Sequence, residues 1–219
     1  MSIEEDIDSF LADQRSLQRE YARAIPRFGI PNLPEEYYQK VIEKCMGHPY
    51  KHFEEFNEVF EWLKDNQGKG LFLIETNGVG KSVLSMQVIP FLFNRFHKRI
   101  LSRYAAIEMT DITTYKGIMK KHLFVIDDIG TESKCEEFNY KRELFPDIID
   151  SVEREGKIFI GSTNLPTDQI LNRYGKRALD RIRGTTKLIV IDHPSMRGKS
   201  ATNYSSQTEN HEGNNADEQ

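Results

Sequence analysis

"LFLIETNGVGKSVL", residues 71–84, is an apolar run that breaks at two glycines, passes through Lys81 and Ser82, and turns apolar again at helix-like spacing. A strand that enters a glycine loop and opens a helix is the frame of a phosphate-binding loop. Glycines let backbone N–H groups turn inward on phosphate oxygens, and the helix N-terminus adds its positive end. In that frame Lys81 reaches the β- and γ-phosphates of a nucleotide and the Ser82 hydroxyl ligates Mg²⁺. Thr76, Asn77, Gly78, Val79, Gly80 and Val83 complete the loop and the first helical turn. One position departs. The pattern G-x-x-x-x-G-K-[ST] opens with glycine, and Glu75 stands there instead.

The departure can be weighed. A carboxylate about 6 Å from one phosphate charge, at an effective dielectric constant near 20, costs roughly 3 kcal/mol, or about a hundredfold in affinity. A working site therefore predicts that Glu75 points away from the phosphates, onto a nearby Lys or Arg, while Gly78 and Gly80 shape the loop. The competing readings are an ordinary glycine turn and a degraded, non-hydrolysing site.

Outward from this stretch the pattern alternates. Strand-like runs occupy residues 70–75, 99–107, 122–127, 157–162 and 187–192, with intervals long enough for crossover helices. Such alternation predicts a mainly parallel sheet covered on both faces, and such sheets bind ligands beyond the carboxyl ends of their strands. The run "HLFVIDDIG" ends in paired carboxylates: Asp127 to hold a metal, Asp128 to orient or activate water. "GSTNLP" places Asn164 at another strand end, suited to hydrogen-bond a γ-phosphate or the lytic water. In "LNRYGKRALDRIRG", Arg177 and Arg181 are four apart and share a helix face. They form either a solvated basic face or a pair presented to anionic oxygens.

"KSVLSMQ", "LFVIDDIGTE", "KIFIGSTNLP" and "RYGKRALDRI", in this order, resemble the AAA+ ATPases of the DnaC/DnaI helicase loaders and the IstB transposition helpers. The resemblance covers roughly residues 68–198. It implies an α/β fold: a P-loop AAA+ core with a five-stranded, mainly parallel sheet between helices, a small helical N-terminal region and no large helical lid. It also implies ATP and Mg²⁺ as ligands, Asn164 as sensor 1, Arg181 with Arg177 beside it as the arginine finger, and Arg197 as a late arginine acting like sensor 2. In loaders the N-terminal part binds the replicative helicase, so residues 1–60 become the candidate partner-binding portion. Three features depart from the family: Glu75, Pro90 where a kink or early helix stop is expected, and a short stretch before "HLFVIDD" that reduces any surface for single-stranded DNA.

The expected organisation is a helical region over 1–66 with an extended connector at 25–34, the ATPase core over 67–198, and a disordered polar tail over 199–219. Ile3, Ile7, Phe10, Leu17, Tyr21 and Ala24 keep a three-four spacing, broken at Gln14, that suits a helix over 3–25. Two further helices are expected at 35–46 and 51–65. The acidic N-terminus lacks the basic-then-apolar order of a signal peptide, and no apolar run approaches the roughly 20 residues that span a bilayer. Cys45 and Cys135 lie far apart, which argues for a reducing, cytoplasmic setting rather than a disulfide framework. A net charge of −4 does not advertise nucleic-acid binding, but Arg95, Lys98, Arg99 and Arg103 lie among aromatics and suit single strands, with Lys116, Lys120 and Lys121 extending the patch. A solvated helix end fits those residues equally well. Cys45, His48 and His52 have metal-like spacing but lack a fourth ligand for a structural zinc. The resemblance implies an ATP-hydrolysing loader of a DnaB-type replicative helicase that self-associates through its arginine finger. The alternatives are an IstB-like helper acting on double-stranded DNA and a nucleotide-dependent module without hydrolysis.

Overall fold

A computed structural model describes residues 27–75, 78, 80–137 and 140–193. The helix expected over 3–25, the polar tail and Arg197 lie outside the described residues. The connector after residue 26 is zipped onto the segment that leads into the sheet. The Ile30 amide donates to the Leu63 carbonyl at 2.9 Å and the Asn66 amide to the Phe28 carbonyl at 3.1 Å, while the Phe28 amide donates to the Asn66 side chain at 2.9 Å. Helix α1 (Glu35–Met46) starts after Pro34, and Gly47 ends it at φ 73°, its amide returning to the Glu43 carbonyl. Helix α2 (Glu54–Lys64) buries Phe56, Val59, Phe60, Trp62 and Leu63, an apolar stripe too wide to leave in water.

The glycine loop separates strand β1 (Gly70–Glu75) from a continuous helical run. That run is α3 (Lys81–Val83), a π turn (Leu84–Val88) and α4 (Ile89–His97). Pro90, expected to kink or stop the helix, does not stop it: the helical run continues to His97, with its α pattern interrupted by the π turn just before the proline. It sits at the first turn of α4, where the preceding π turn has already set aside the α-type hydrogen bonds that a proline cannot make. Lys98 then caps the run in the left-handed region, which delays the next strand to β2 (Ser102–Ala105), shorter than the run at 99–107 suggested.

A 3₁₀ turn (Ala106–Thr110) and helix α5 (Ile112–Met119) lead to β3 (Leu123–Ile129). A small antiparallel hairpin, β4 (Cys135–Glu137) and β5 (Tyr140–Arg142), precedes α6 (Phe145–Glu155), β6 (Ile158–Thr163), α7 (Thr167–Thr185) and β7 (Thr186–Ile191). Helix α7 is broken at Gly175, whose φ of 83° and ψ of 165° are not helical. The main sheet has five strands in the order β2-β3-β6-β1-β7, every pair parallel.

The β1 strand shows how the sheet divides the core. Leu71 and Leu73 join the cluster formed with the connector, α1, α2 and the α3–α4 run; Phe72 and Ile74 join the opposite cluster with α5, α6 and α7. All six β1 residues are buried, as expected for a parallel strand covered on both faces. Gly161 in β6 is required by this packing, because a Cβ there would lie 2.5 Å from the Phe159 ring and 2.7 Å from the Phe72 ring. Among the described residues, no helix is long and apolar enough to cross a membrane.

Candidate functional site

At the carboxyl end of β1 the chain turns sharply through Gly78 (φ 73°) and Gly80 (φ 133°). Only glycine takes such angles without strain, and at Gly80 a Cβ would also lie 2.4 Å from the Met46 side chain. Glu75 does not turn away toward a cation, as a working site was expected to require. Its buried carboxylate accepts the Lys81 amide at 2.9 Å and the Gly80 amide at 3.2 Å. The physical reason is local: a carboxylate at the end of a buried strand must find donors, and the first amides of the following helical run, which have no partner within the helix, supply them.

Lys81 completes a second contact set. Its buried ammonium is ion-paired with the Asp128 carboxylate and lies 3.4 Å from the Ser82 hydroxyl. Asp128 reaches it because the β3–β6 register shifts between Ile126 and Ile129. Asp128 occupies the left-handed region at φ 55°, which few non-glycine residues adopt. The bulge breaks the in-out alternation of the strand and lets consecutive carboxylates serve one site. Asn164, just beyond β6, donates to the same Asp128 oxygen at 3.4 Å.

Asp127 faces inward and is nearly buried. It accepts the Ser85 hydroxyl at 3.1 Å and the Ser162 hydroxyl, and Ser162 in turn accepts the Asp128 amide at 3.0 Å. Neither serine was singled out in the sequence. Ser85 lies one turn after Ser82, and Ser162 stands two places before Asn164 in "GSTN", so both signals were present but weak. A third group went unseen. Arg173 holds Glu143 through two contacts of 3.2 Å and also donates to the Gly130 and Glu132 carbonyls. Tyr174 donates to the buried Glu132 carboxylate, which also accepts the Gly130 amide at 2.8 Å. This lock fixes the turn that follows Asp128.

The site residues thus fall into three groups. Glu75, Gly80, Lys81, Ser82, Asp127, Asp128 and Asn164 converge where β1, β3 and β6 end, with Gly78 in the loop and Val83 packed against the core. Arg177 and Arg181 lie beyond the Gly175 break of α7 and turn to α6, pairing with Asp150 and Glu153. Thr76, Asn77, Val79 and Arg197 lie outside the described residues. No group of three or more His, Cys, Asp or Glu side chains able to hold a metal occurs among the described residues, Cys45, His48 and His52 included. Mg²⁺ in nucleotide sites needs only one or two carboxylates besides phosphate and water, so Asp127 with Ser82 fits that ion. A cleft of about 830 Å³, lined by Arg27, Trp62, Asp65 and Lys187 among others, lies by the opposite end of β1 from the loop.

No protein-family model and no curated protein matches the chain. Solved structures do. The DnaC helicase loader superposes with a TM-score of 0.51 at 18% identity, over 72% of this chain and 99% of that one. DnaI superposes with a TM-score of 0.45 at 21% identity, over 56% and 73% of the two chains. AMPPCP-bound DnaA from Aquifex aeolicus gives 0.47 at 18% identity, over 74% and 51%. What the chain shares with the DnaC loader is the fold, which in this chain is a five-stranded parallel sheet covered by helices on both faces.

Proposed function

We propose that the chain binds ATP with Mg²⁺ at the ends of β1, β3 and β6, hydrolyses it, and helps to place a DnaB-type replicative helicase on DNA. The convergence of Lys81, Asp127, Asp128 and Asn164 carries the nucleotide reading. These residues come from distant stretches of chain, and each has the chemistry a triphosphate needs at that end of the sheet. When bound, the nucleotide supplies a phosphoanhydride to be cleaved by water. Lys81 neutralises phosphate charge, Asp127 and Ser82 hold the metal, Asp128 orients water or takes its proton, and Asn164 holds Asp128 in place.

The loader reading rests on the fold shared with the DnaC helicase loader. Residues 1–60 are the proposed helicase-binding portion. Helix α4 and the segment after it are the proposed contact for single-stranded DNA: Phe91 and Phe96 on the helix and Ile100 beyond it are exposed, and the Arg95 guanidinium lies 5.7 Å from the centre of the Phe96 ring. Exposed rings beside cations suit bases and phosphates. The location of Glu75 favours a second reading, a nucleotide-dependent module with little or no hydrolysis.

ATP turnover with and without single-stranded DNA, for the chain and for Lys81→Ala and Asp128→Asn, separates the two. Turnover lost in both variants supports the enzyme; equal turnover in all three removes it. Capture of a DnaB-type helicase by the full chain tests the loader assignment, and ATP-dependent oligomers on double-stranded DNA with stimulation of a transposase would replace it with the IstB type.

A further inference from the structure

We infer that Glu75 is a tethered competitor of nucleotide: its carboxylate holds the two amides a phosphate needs, and nucleotide enters only as Glu75 leaves. The inference rests on the nucleotide-binding reading of the site. Gly80 and Lys81 are the residues whose amides, at the mouth of the helical run, a phosphate-binding loop directs at its ligand. Here both donate to Glu75, at 3.2 Å and 2.9 Å. Each N–H carries one proton, so it cannot serve Glu75 and a phosphate oxygen at full strength together.

The remaining charges reinforce the exclusion. The Lys81 ammonium pairs with Asp128 rather than with Glu75. Among the described residues of the loop, one carboxylate thus holds the Gly80 and Lys81 amides and another holds the Lys81 ammonium. Glu75 is 1% exposed, so its carboxylate has little water to fall back on while the loop keeps this shape. A phosphate entering with Glu75 still in place would meet a buried like charge in contact with the same donors. The tether also matters. An anion on the same chain competes at a high effective concentration that dilution does not lower.

The size of the effect follows from occupancy. Apparent affinity falls by the fraction of time the cradle is open. A cradle open about a tenth of the time weakens nucleotide binding about tenfold, and one open about a hundredth of the time about a hundredfold. Glycine, the residue that the loop pattern specifies at this place, has no side chain to compete.

Titration of the full-length chain with a fluorescent ADP and with ATP–Mg²⁺, alongside nucleotide-free melting curves, tests this. Glu75→Gly is expected to bind at least tenfold more tightly than the unaltered chain. Glu75→Gln should fall between them, because its amide oxygen still accepts from the loop without the charge. Lys81→Ala placed on Glu75→Gly should abolish the gain, showing that it runs through the loop. Without nucleotide, Glu75→Gly should melt below the unaltered chain, and nucleotide should raise its melting temperature further than it raises that of the unaltered chain. If the unaltered chain binds and both Glu75 variants stay within twofold of it, the inference falls and the nucleotide site stands. If none of the three binds, both fall. Should Glu75→Gly fail to fold, Glu75→Gln alone decides, a gain of threefold or more supporting the inference and no gain overturning it.

Discussion

Lys81 and Asp128 form an ion pair across the mouth of the glycine loop in which the lysine side chain is 5% exposed and the aspartate 41%. Removing either partner therefore has unequal consequences. Asp128→Asn leaves a buried ammonium with the Ser82 hydroxyl at 3.4 Å. Breaking a fully buried pair costs about 3–5 kcal/mol, and the exposure of Asp128 reduces that to about 1–2 kcal/mol here. Lys81→Ala leaves a carboxylate that water and Asn164 still reach, at a cost below about 1 kcal/mol. Denaturant midpoints should rank the unaltered chain, then Lys81→Ala, then Asp128→Asn, although both variants should lose turnover.

Ser162 ties the two acidic residues together. Its hydroxyl donates to Asp127 and accepts the Asp128 amide. Ser162→Ala leaves that amide without its partner and Asp127 with the Ser85 hydroxyl as its remaining donor in this set. A buried donor left unmatched costs about 1–3 kcal/mol, and the bulge that aims Asp128 at Lys81 loses its pin. The expected outcome is a lower denaturant midpoint together with a loss of turnover exceeding any loss of nucleotide affinity.

The strands and the acidic pair were legible because their signals are local. An apolar run of β-branched residues marks a buried strand, and "IDD" at its end needs no tertiary knowledge. Arg173, Glu132 and Tyr174 were not legible, because their bonds join positions 41 to 43 apart in the chain. Glu75 is the instructive case. Its importance was readable and its direction was not. The charge argument placed a phosphate in the loop and sent the carboxylate away, whereas in the chain alone the unpaired amides of Gly80 and Lys81 draw it in. Pro90 fails to stop the helix for a similar reason: a proline rule applied to an α-helix did not foresee the π turn before it.

Tyr174 carries a pH dependence of definite sign. Burial, and then the negative charge of Glu132, push its phenol well above its ordinary value. The folded state thus holds this proton more tightly than the unfolded state. The resulting stability is fully present below the unfolded pKa of about 10 and is lost as pH rises toward the higher folded value. Denaturant midpoints measured from about pH 9 to about pH 11 should fall for the unaltered chain, and fall less steeply for Tyr174→Phe. At neutral pH that substitution should cost about 1–3 kcal/mol, because the buried Glu132 loses a donor.

Arg177 and Arg181 share a helix face but not a situation. Arg181 is 15% exposed and reaches both Asp150 and Glu153 at 2.7 Å; Arg177 is 79% exposed and touches Asp150 at 3.2 Å. The resemblance favours Arg181 as the finger that completes a neighbour's site, yet that side chain is committed to α6 of its own chain. Arg177 is the one that can leave its partner at little cost. Arg177→Ala should therefore change stability by no more than about 0.5 kcal/mol while turnover under self-associating conditions falls steeply, since such an arginine is worth about 10³–10⁵ in rate. Arg181→Ala should lower stability by about 1–2 kcal/mol through its lost pairs. Turnover measured across a concentration series, with denaturant midpoints alongside, decides between them. A stable Arg177→Ala chain with full turnover, beside an Arg181→Ala chain inactive even where it is folded, would give the finger to Arg181.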